Sequence, residues 1–268
     1  MHRWEPERPT ARVCAHHGGM TWSSRVPRAL RDLAADLAAL VWPVECAGCA
    51  LPNRACCDDC VEELLREALA AVSDPAGVHR APGETGPPGF SAGSHEGLLR
   101  DLLVPFKHAG RTSLAPILGT VLAVPLARAL ALARGPDPPL IVPVPSRPER
   151  VRERGYRHVE VLGRAALRDI GITGPRAPIM RRALRTMPGR TSQVGLRAGA
   201  RRRNAAKIAV SSRMVSRVRT REVILLDDVQ TTGETLAAAA AVLTREGAKV
   251  VAVVTLAQAR RHAPGKLF

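Results

Sequence analysis

The sequence predicts an α/β fold, in which a mainly parallel β-sheet is flanked by helices and preceded by a small four-cysteine module. Two observations carry this prediction. From Leu98 onward, short apolar runs suited to buried strands alternate with helical patterns, which is typical of a parallel sheet covered by helices. Ahead of them stand two C-x-x-C pairs. The 268 residues suffice for one large hydrophobic core and a small appendage.

Each element follows from its local pattern. Helical spacing predicts helices over 61–72, 97–107, 114–134, 159–170 and 236–246, with a break near Pro125 in the third. Continuous apolar runs rich in β-branched residues predict buried strands over 140–144, 223–226 and 250–256. No apolar run is judged long enough to cross a bilayer.

Four cysteines have the spacing of a metal site. They are Cys46, Cys49, Cys57 and Cys60. Two such pairs can close a tetrahedral, structural Zn²⁺ site, and two disulfides are the alternative. Cys56 is an ambiguous neighbour of this site, and Cys14 is a lone thiol outside it.

The residues before the cysteines favour zinc over disulfides. Asp32 and Asp36 interrupt the apolar stretch that a secretory signal would need, so we expect a cytoplasmic protein with reduced thiols. The pattern over 25–41 instead predicts an amphipathic helix. Residues 1–24 are expected to be disordered or misannotated, with Met20 as the alternative start to Met1.

The domain organisation follows from these patterns. Residues 25–72 form the amphipathic helix and zinc-ribbon-like module, and 73–94, rich in Pro and Gly, form a linker. Residues 95–262 form the α/β domain.

The most informative segment is 223–235, where an apolar strand is followed by two carboxylates and a Thr-rich turn. Its polar members are Asp227, Asp228, Thr231, Thr232, Gly233 and Thr235. Carboxylates at the carboxyl end of a parallel strand can accept hydrogen bonds from vicinal hydroxyls, and the turn can hold a phosphate at a helix N-terminus. The segment therefore predicts a site for a phosphorylated sugar. The alternative is a simple helix cap after a core strand.

A cluster of arginines follows the strand over 140–144. Ser146 is followed by Arg147, Arg150, Arg152, Arg154 and Arg157. Guanidinium groups at the carboxyl edge of a sheet suit a pyrophosphate, which each can grip through two hydrogen bonds. The alternative is a solvated charged turn.

The segment DDVQTTGET resembles the phosphoribosyl pyrophosphate (PRPP) motif of type I phosphoribosyltransferases. With CAGC, CDDC, FKHAGR, IVPVPSRPERVRERGY and the stretch from Arg185 to Asn204, the chain resembles the ComF family of competence-associated proteins over roughly residues 40–260. The resemblance implies a type I phosphoribosyltransferase fold that binds PRPP with Mg²⁺.

The same resemblance implies roles for particular residues. Asp227 and Asp228 become the catalytic and ribose-binding acids, and Thr231, Thr232, Gly233 and Thr235 hold the 5′-phosphate. Ser146, Arg147, Arg150, Arg154 and Lys107 bind pyrophosphate. Arg185, Gln193 and Asn204 belong to a hood over the substrate. RGYRH stands where the family reads close to RGFNQ, with Arg157 and His158 replacing two amides.

Three functions agree with these observations. The first is phosphoribosyl transfer to a nitrogenous base with release of pyrophosphate. The second is a non-catalytic PRPP-binding factor in DNA uptake. The third is a binder of single-stranded DNA that works with a competence helicase. The formal net charge of +16 favours DNA, but aromatic residues make up only 3% of the chain, which disfavours base stacking.

Overall fold

The computed structural model describes residues 45–74, 79–80, 86–189 and 207–259. The chain divides into two compact units between Leu64 and Leu65. The predictions for 1–24 and for the helix over 25–41 lie outside the described residues.

The described helices and strands alternate along most of the chain. The helices are α1 (Asp58–Ser73), α2 (Gly97–His108), α3 (Ala115–Leu130), α4 (Pro148–Arg154), α5 (His158–Ile170), α6 (Val215–Val218) and α7 (Glu234–Arg245). The strands are β1 (His79–Arg80), β2 (Pro88–Ser91), β3 (Leu140–Pro143), β4 (Ile179–Met180), β5 (Leu184–Thr186), β6 (Ile208–Val210), β7 (Glu222–Gln230) and β8 (Lys249–Gln258).

The main sheet has the strand order β1-β2-β8-β7-β3-β4. Each pair from β2 to β4 is parallel, and only the short β1 is antiparallel to its neighbour in this described sheet. Strands β5 and β6 form a separate antiparallel pair. The predicted α/β fold with a mainly parallel sheet is thus confirmed.

The central strand β7 is buried on both faces, because Val223, Ile224, Leu225 and Leu226 are each 0% exposed. Successive side chains of a strand point to opposite faces. Leu225 belongs to the core cluster that α7 covers, whereas Leu226 lies against Gly163 of α5. Residues of odd number therefore face α7, and residues of even number face α5.

Two elements differ from the prediction. The predicted linker over 73–94 contains β2, which pairs with β8 through Gly89 and Val253 and buries Phe90. The segment is rich in Pro and Gly, so its sequence pattern indicates a linker and not a strand. Helix α3 continues through Pro125 without a break, because the buried proline is held inside the core, where packing outweighs the lost backbone hydrogen bond.

One helix in the described part of the chain, Thr112–Leu130, is long and apolar enough to cross a membrane by length and composition alone. The sequence-based expectation that no run reaches this length is therefore not met. Within the fold 56% of its apolar window is buried, and α3 packs on α5 and β8, which is the setting of a core helix.

Candidate functional site

The two acids of β7 lie inside the strand rather than after it. The prediction that the strand ends at Leu226 is wrong, because β8 is long enough to keep pairing: Asp227 pairs with Thr255, and Gln230 pairs with Gln258. By the alternation of the strand, Asp227 faces α7 and Asp228 faces α5. Their side chains leave the strand on opposite sides, yet the two carboxyls remain close enough for a side-chain hydrogen bond between them.

Asp228 is the centre of a buried charged cluster. It is 4% exposed, and its Oδ2 forms an ion pair with Lys107 Nζ and lies 2.8 Å from His158 Nε2. Its Oδ1 accepts a hydrogen bond from the Val229 amide at 2.7 Å. Burial alone would raise the pKa of Asp228, but Lys107 and His158 outweigh it and hold the pKa well below its usual range. The group is an anion in the folded protein.

Asp227 has the opposite electrostatic character. Burial and the neighbouring charge of Asp228 raise the pKa of Asp227. Its Oδ1 accepts a hydrogen bond from the Asp228 amide at 2.9 Å. Two adjacent carboxyls are thus driven apart in pKa, which is typical of functional sites that need an anion beside a neutral acid.

His158 is a site residue that the sequence pattern alone does not identify. It begins α5, is 5% exposed, and touches Asp228 through Nε2. Arg154 Nη1 donates to Nδ1, and because a guanidinium has no acceptor, Nδ1 must accept. Nε2 therefore carries the hydrogen and donates it to Asp228. The signal was the RGYRH segment, which differs from the RGFNQ that the resemblance leads one to expect; it marked the position without revealing its partner.

The same network reaches the predicted pyrophosphate group. Ser146 Oγ lies 3.5 Å from His158 Nδ1, and Arg154 Nε donates to the carbonyl of Lys107 at 2.5 Å. Tyr156 also donates its hydroxyl hydrogen to the carbonyl of Phe106. The end of α2 is thereby fixed to the segment between α4 and α5. Of the five predicted pyrophosphate residues, Lys107 contacts Asp228 directly, and Ser146 and Arg154 contact its partner His158.

The arginine-rich stretch is a helix for most of its length rather than a loop. Pro148 begins α4, and Gly155 ends it with a φ of 82°, a start and a stop that suit these two residues. Arg147 occupies the N-cap position without a side-chain capping hydrogen bond, and Arg150 pairs with Glu153 at 2.9 Å. Arg147 and Arg150 are neighbours of Ser146 and Arg154 in the sequence, but no described contact joins either of them to Asp228 or His158.

The turn after β7 leads directly into α7. Gly233 is the N-cap with a φ of 76°, a conformation that favours glycine, and the helix begins at Glu234, two residues earlier than predicted. Thr231 and Thr232 lie in the turn, and Thr235 is in the first helical turn. Backbone N–H groups at this end of α7 have the orientation and the dipole that favour a phosphate.

The predicted hood lies mainly outside the described residues, including Gln193 and Asn204. Arg185 is described: it lies on β5, opposite Ala209 of β6, and donates to the sulfur of Met187 at 3.0 Å. No described contact joins Arg185 to Asp228.

The N-terminal unit contains the four-cysteine cluster. The Sγ atoms of Cys46, Cys49, Cys57 and Cys60 all lie within 4.8 Å of one another. Cys46 and Cys60 are 3.7 Å apart, and Cys49 and Cys57 are 3.5 Å apart. A tetrahedral Zn²⁺ with bonds of about 2.3 Å requires sulfur pairs about 3.8 Å apart, so the four thiols fit this ion.

Disulfides do not account for the cluster, because no disulfide joins the described cysteines and the sulfur separations exceed the bonded distance of about 2 Å. Burial raises the pKa of Cys57 to about 12 and also raises the pKa of Cys60. A bound dication would lower both pKa values, because it stabilises the thiolate form of each cysteine. Cys56 is outside the four-atom cluster and donates to the Cys57 carbonyl at 3.8 Å.

Comparison with known families agrees with the fold. Residues 177–266 match the family model for the phosphoribosyl transferase domain. The match includes β7, its two acids, the turn and α7, but not Lys107, Ser146, Arg154 or His158. No curated protein matches the chain. The phosphoribosyl transferase domain supports PRPP binding or a function of the phosphoribosyl-transfer type, for which such domains use Mg²⁺.

Proposed function

We propose that this protein binds PRPP at the carboxyl edge of its sheet and transfers the phosphoribosyl group to a nitrogenous base. The observation that carries the proposal is the buried Asp228 anion. It lies near the end of β7, directly before the turn that suits a phosphate. Asp228 suits the ribose, and the turn with Thr231, Thr232 and the start of α7 suits the 5′-phosphate. Lys107 and Arg154 supply positive charge for the pyrophosphate.

The reaction would be displacement at C1 of the ribose. A nitrogen lone pair of the base forms the new C1–N bond, while the C1–O bond breaks and its electron pair leaves with pyrophosphate. Positive charge develops on the ribose, and the fixed Asp228 anion stabilises it. Bound Mg²⁺ would neutralise charge on the leaving pyrophosphate. Asp227, whose pKa is raised, is suited to donate a hydrogen bond beside the Asp228 anion.

Lys107 and His158 keep Asp228 in position before the substrate arrives. Both contact Oδ2, and the Val229 amide donates to Oδ1, so three of the roughly four acceptor positions of the carboxylate are occupied and about one remains for a ribose hydroxyl. The positioning requires no reorganisation when charge develops, which is the condition for efficient electrostatic stabilisation.

Calorimetric titration with PRPP and Mg²⁺ tests the binding step. We expect saturable binding by the wild type and a loss of at least tenfold in affinity for Asp228→Asn, because one charge-assisted contact contributes about 1.4 kcal/mol or more. Asp169→Asn is the matched control, since this acid lies at the other end of α5. No binding by the wild type would contradict the proposal.

Pyrophosphate release with a panel of nucleobases tests the chemical step. Release that depends on both base and Asp228 supports transfer. Binding without release with any base would favour the second function, a PRPP-binding factor of the ComF type in DNA uptake. The single-stranded DNA function is supported by the net charge and the four-cysteine module, and it predicts binding that falls steeply with salt and survives Asp228→Asn.

The four-cysteine cluster completes the proposal. We assign it to a structural Zn²⁺, because four thiolates leave no open position for a reacting water.

A further inference from the structure

A cavity lies in the α/β unit, away from the proposed PRPP site. Its volume is about 380 Å³. It is lined by three apolar, two hydroxyl and four basic side chains: Leu140, Ile179, Met214, Ser216, Thr220, Arg181, Arg217, Arg219 and Arg221.

The cavity is at the amino edge of the sheet. Leu140 and Ile179 are the first residues of β3 and β4, and Arg221 immediately precedes β7. Asp228 lies seven residues further along the same strand direction, which at about 3.3 Å per residue is about 23 Å away. A molecule in this cavity would therefore not touch the Asp228 cluster.

The cavity carries strong positive charge. Four of its lining residues are arginines, and none of the described lining residues is acidic. Arg221 Nε lies 3.8 Å from Asp137 Oδ2, a largely exposed carboxylate, and its Nη2 donates to the Pro138 carbonyl. Nε of Arg221 is buried without a hydrogen-bond partner in the described structure.

The positive charges of the other three arginines have no carboxylate partner in the described part of the chain. Arg181 donates to the Met180 carbonyl at 3.1 Å, and within the described ranges no carboxylate forms an ion pair with Arg181, Arg217 or Arg219. Guanidinium groups that share a concave surface repel one another unless an anion lies between them. Planar guanidinium groups bind phosphate through paired hydrogen bonds.

The rest of the lining argues against inorganic phosphate as the best ligand. Leu140 is 3% exposed, and together with Ile179 and Met214 it gives the cavity an apolar wall. Cavities that hold small organic ligands begin at about 300 Å³, and an apolar wall with a few polar groups is typical of them. The wall suits an organic group, and the arginines suit the phosphate attached to it.

We infer that this amino-edge cavity binds a small organic phosphate monoester of about the size of a nucleoside monophosphate. The site is separate from the one proposed for PRPP. The phosphate contacts the guanidinium groups, with Ser216 and Thr220 available as hydroxyl donors, and the organic group packs on the apolar wall.

Calorimetry with AMP as the probe tests this inference, with inorganic phosphate titrated in parallel. A nucleoside monophosphate is the product class of the proposed transfer and can also enter the PRPP site, so AMP is titrated with PRPP and Mg²⁺ in excess. Under these conditions we expect one saturable AMP site that is at least tenfold tighter than phosphate. The double variant Arg217→Gln/Arg219→Gln should weaken AMP binding by about 100-fold, at about tenfold for each charge-assisted contact. Arg213→Gln is the matched control, because Arg213 is an exposed neighbour that does not line the cavity.

The same variants separate this site from the proposed PRPP site. Asp228→Asn should leave AMP binding unchanged, and the double arginine variant should leave PRPP binding unchanged. AMP binding that is lost in Asp228→Asn, or that survives in the double variant, would overturn the inference. So would AMP binding no tighter than phosphate, or an oligothymidylate that binds through these arginines when AMP does not. Circular dichroism of each variant verifies that it is folded.

Discussion

His158 and Asp228 are seventy residues apart in the chain, yet His158 Nε2 lies 2.8 Å from Asp228 Oδ2. Lys107, on a third element, contacts the same oxygen. The first turn of α5 and the end of α2 thus converge on one acid of β7. A carboxylate held by two donors is fixed in position before any substrate binds, and several consequences can be measured.

The ion pair between Lys107 and Asp228 should contribute to stability. The Asp228 side chain is 6% exposed and the Lys107 side chain 28%, so either single change, Asp228→Asn or Lys107→Met, should cost about 2–4 kcal/mol of unfolding free energy. The double variant should lose less than the sum of the two, by about 1–3 kcal/mol. Urea unfolding of the four proteins measures this coupling, and strict additivity would show that the pair does not interact.

Two replacements of His158 should distinguish the effect of its hydrogen bond on PRPP affinity from the effect of its volume. In His158→Gln the amide can still donate to Asp228, whereas in His158→Leu nothing can. We expect the Leu variant to lose at least tenfold in PRPP affinity and the Gln variant to retain most of it. Equal losses in both would mean that the ring itself matters, rather than the donated hydrogen bond.

Zinc content should depend on four of the five described cysteines. Metal analysis of the purified protein should give one Zn²⁺ per chain, and Cys46→Ser or Cys60→Ser should remove it and destabilise the N-terminal unit. Cys56→Ser is the internal control, because Cys56 lies outside the cluster and should leave the zinc content unchanged. Loss of metal in the control would place Cys56 among the ligands.

Stability should fall in mildly acidic solution partly because of His95. Burial and the nearby charge of Lys107 lower the pKa of His95 in the folded protein below its ordinary value of 6.5. Below about pH 6.5 the unfolded chain therefore takes up a proton more readily than the folded one, so this contribution is complete above that pH and is lost below it. The thermal unfolding temperature of His95→Asn should fall less steeply below about pH 6.5 than that of the wild type. An unchanged dependence on pH would contradict a contribution from His95.

Two glycines at helix contacts should respond differently to a methyl group. A Cβ on Gly119 of α3 would lie 2.3 Å from Ala165 Cβ and 3.0 Å from its backbone carbon, so Gly119→Ala must push α3 and α5 apart. A Cβ on Gly163 would meet the side-chain ends of Met180 and Leu226, which can move. We expect a loss of about 2–3 kcal/mol at Gly119 and a smaller loss at Gly163, measured by urea unfolding.

Much of the fold could be predicted because its elements have strong local patterns. The apolar run 223–226 and the helical spacing of 159–170 identify β7 and α5 to within a few residues. Strand β2 could not be predicted in the same way, because Pro88 and Gly89 read as linker residues and only pairing with β8 makes them a strand. The extension of β7 past Leu226 has the same origin, since it depends on the length of its neighbour.

The site was predictable as a set of residue types but not as a set of contacts. The acids and the Thr-rich turn occur together in sequence, so their proximity could be expected. The contact between His158 and Asp228 depends on where α5 begins relative to β7, which no local pattern encodes. The helical form of 148–154 was also missed, because its charge dominates the pattern although Pro148 and Gly155 mark its ends.

The pairing of β2 with β8 has a consequence for how the protein is made. Gly89 lies beside Val253, so an early strand of the sheet must wait for the latest described strand before its backbone is satisfied on that side. Contacts so distant in sequence form slowly and leave strand edges open in the meantime. During synthesis on the ribosome the α/β sheet cannot close until residues 249–258 have emerged, and we expect β2 to need protection by chaperones until then.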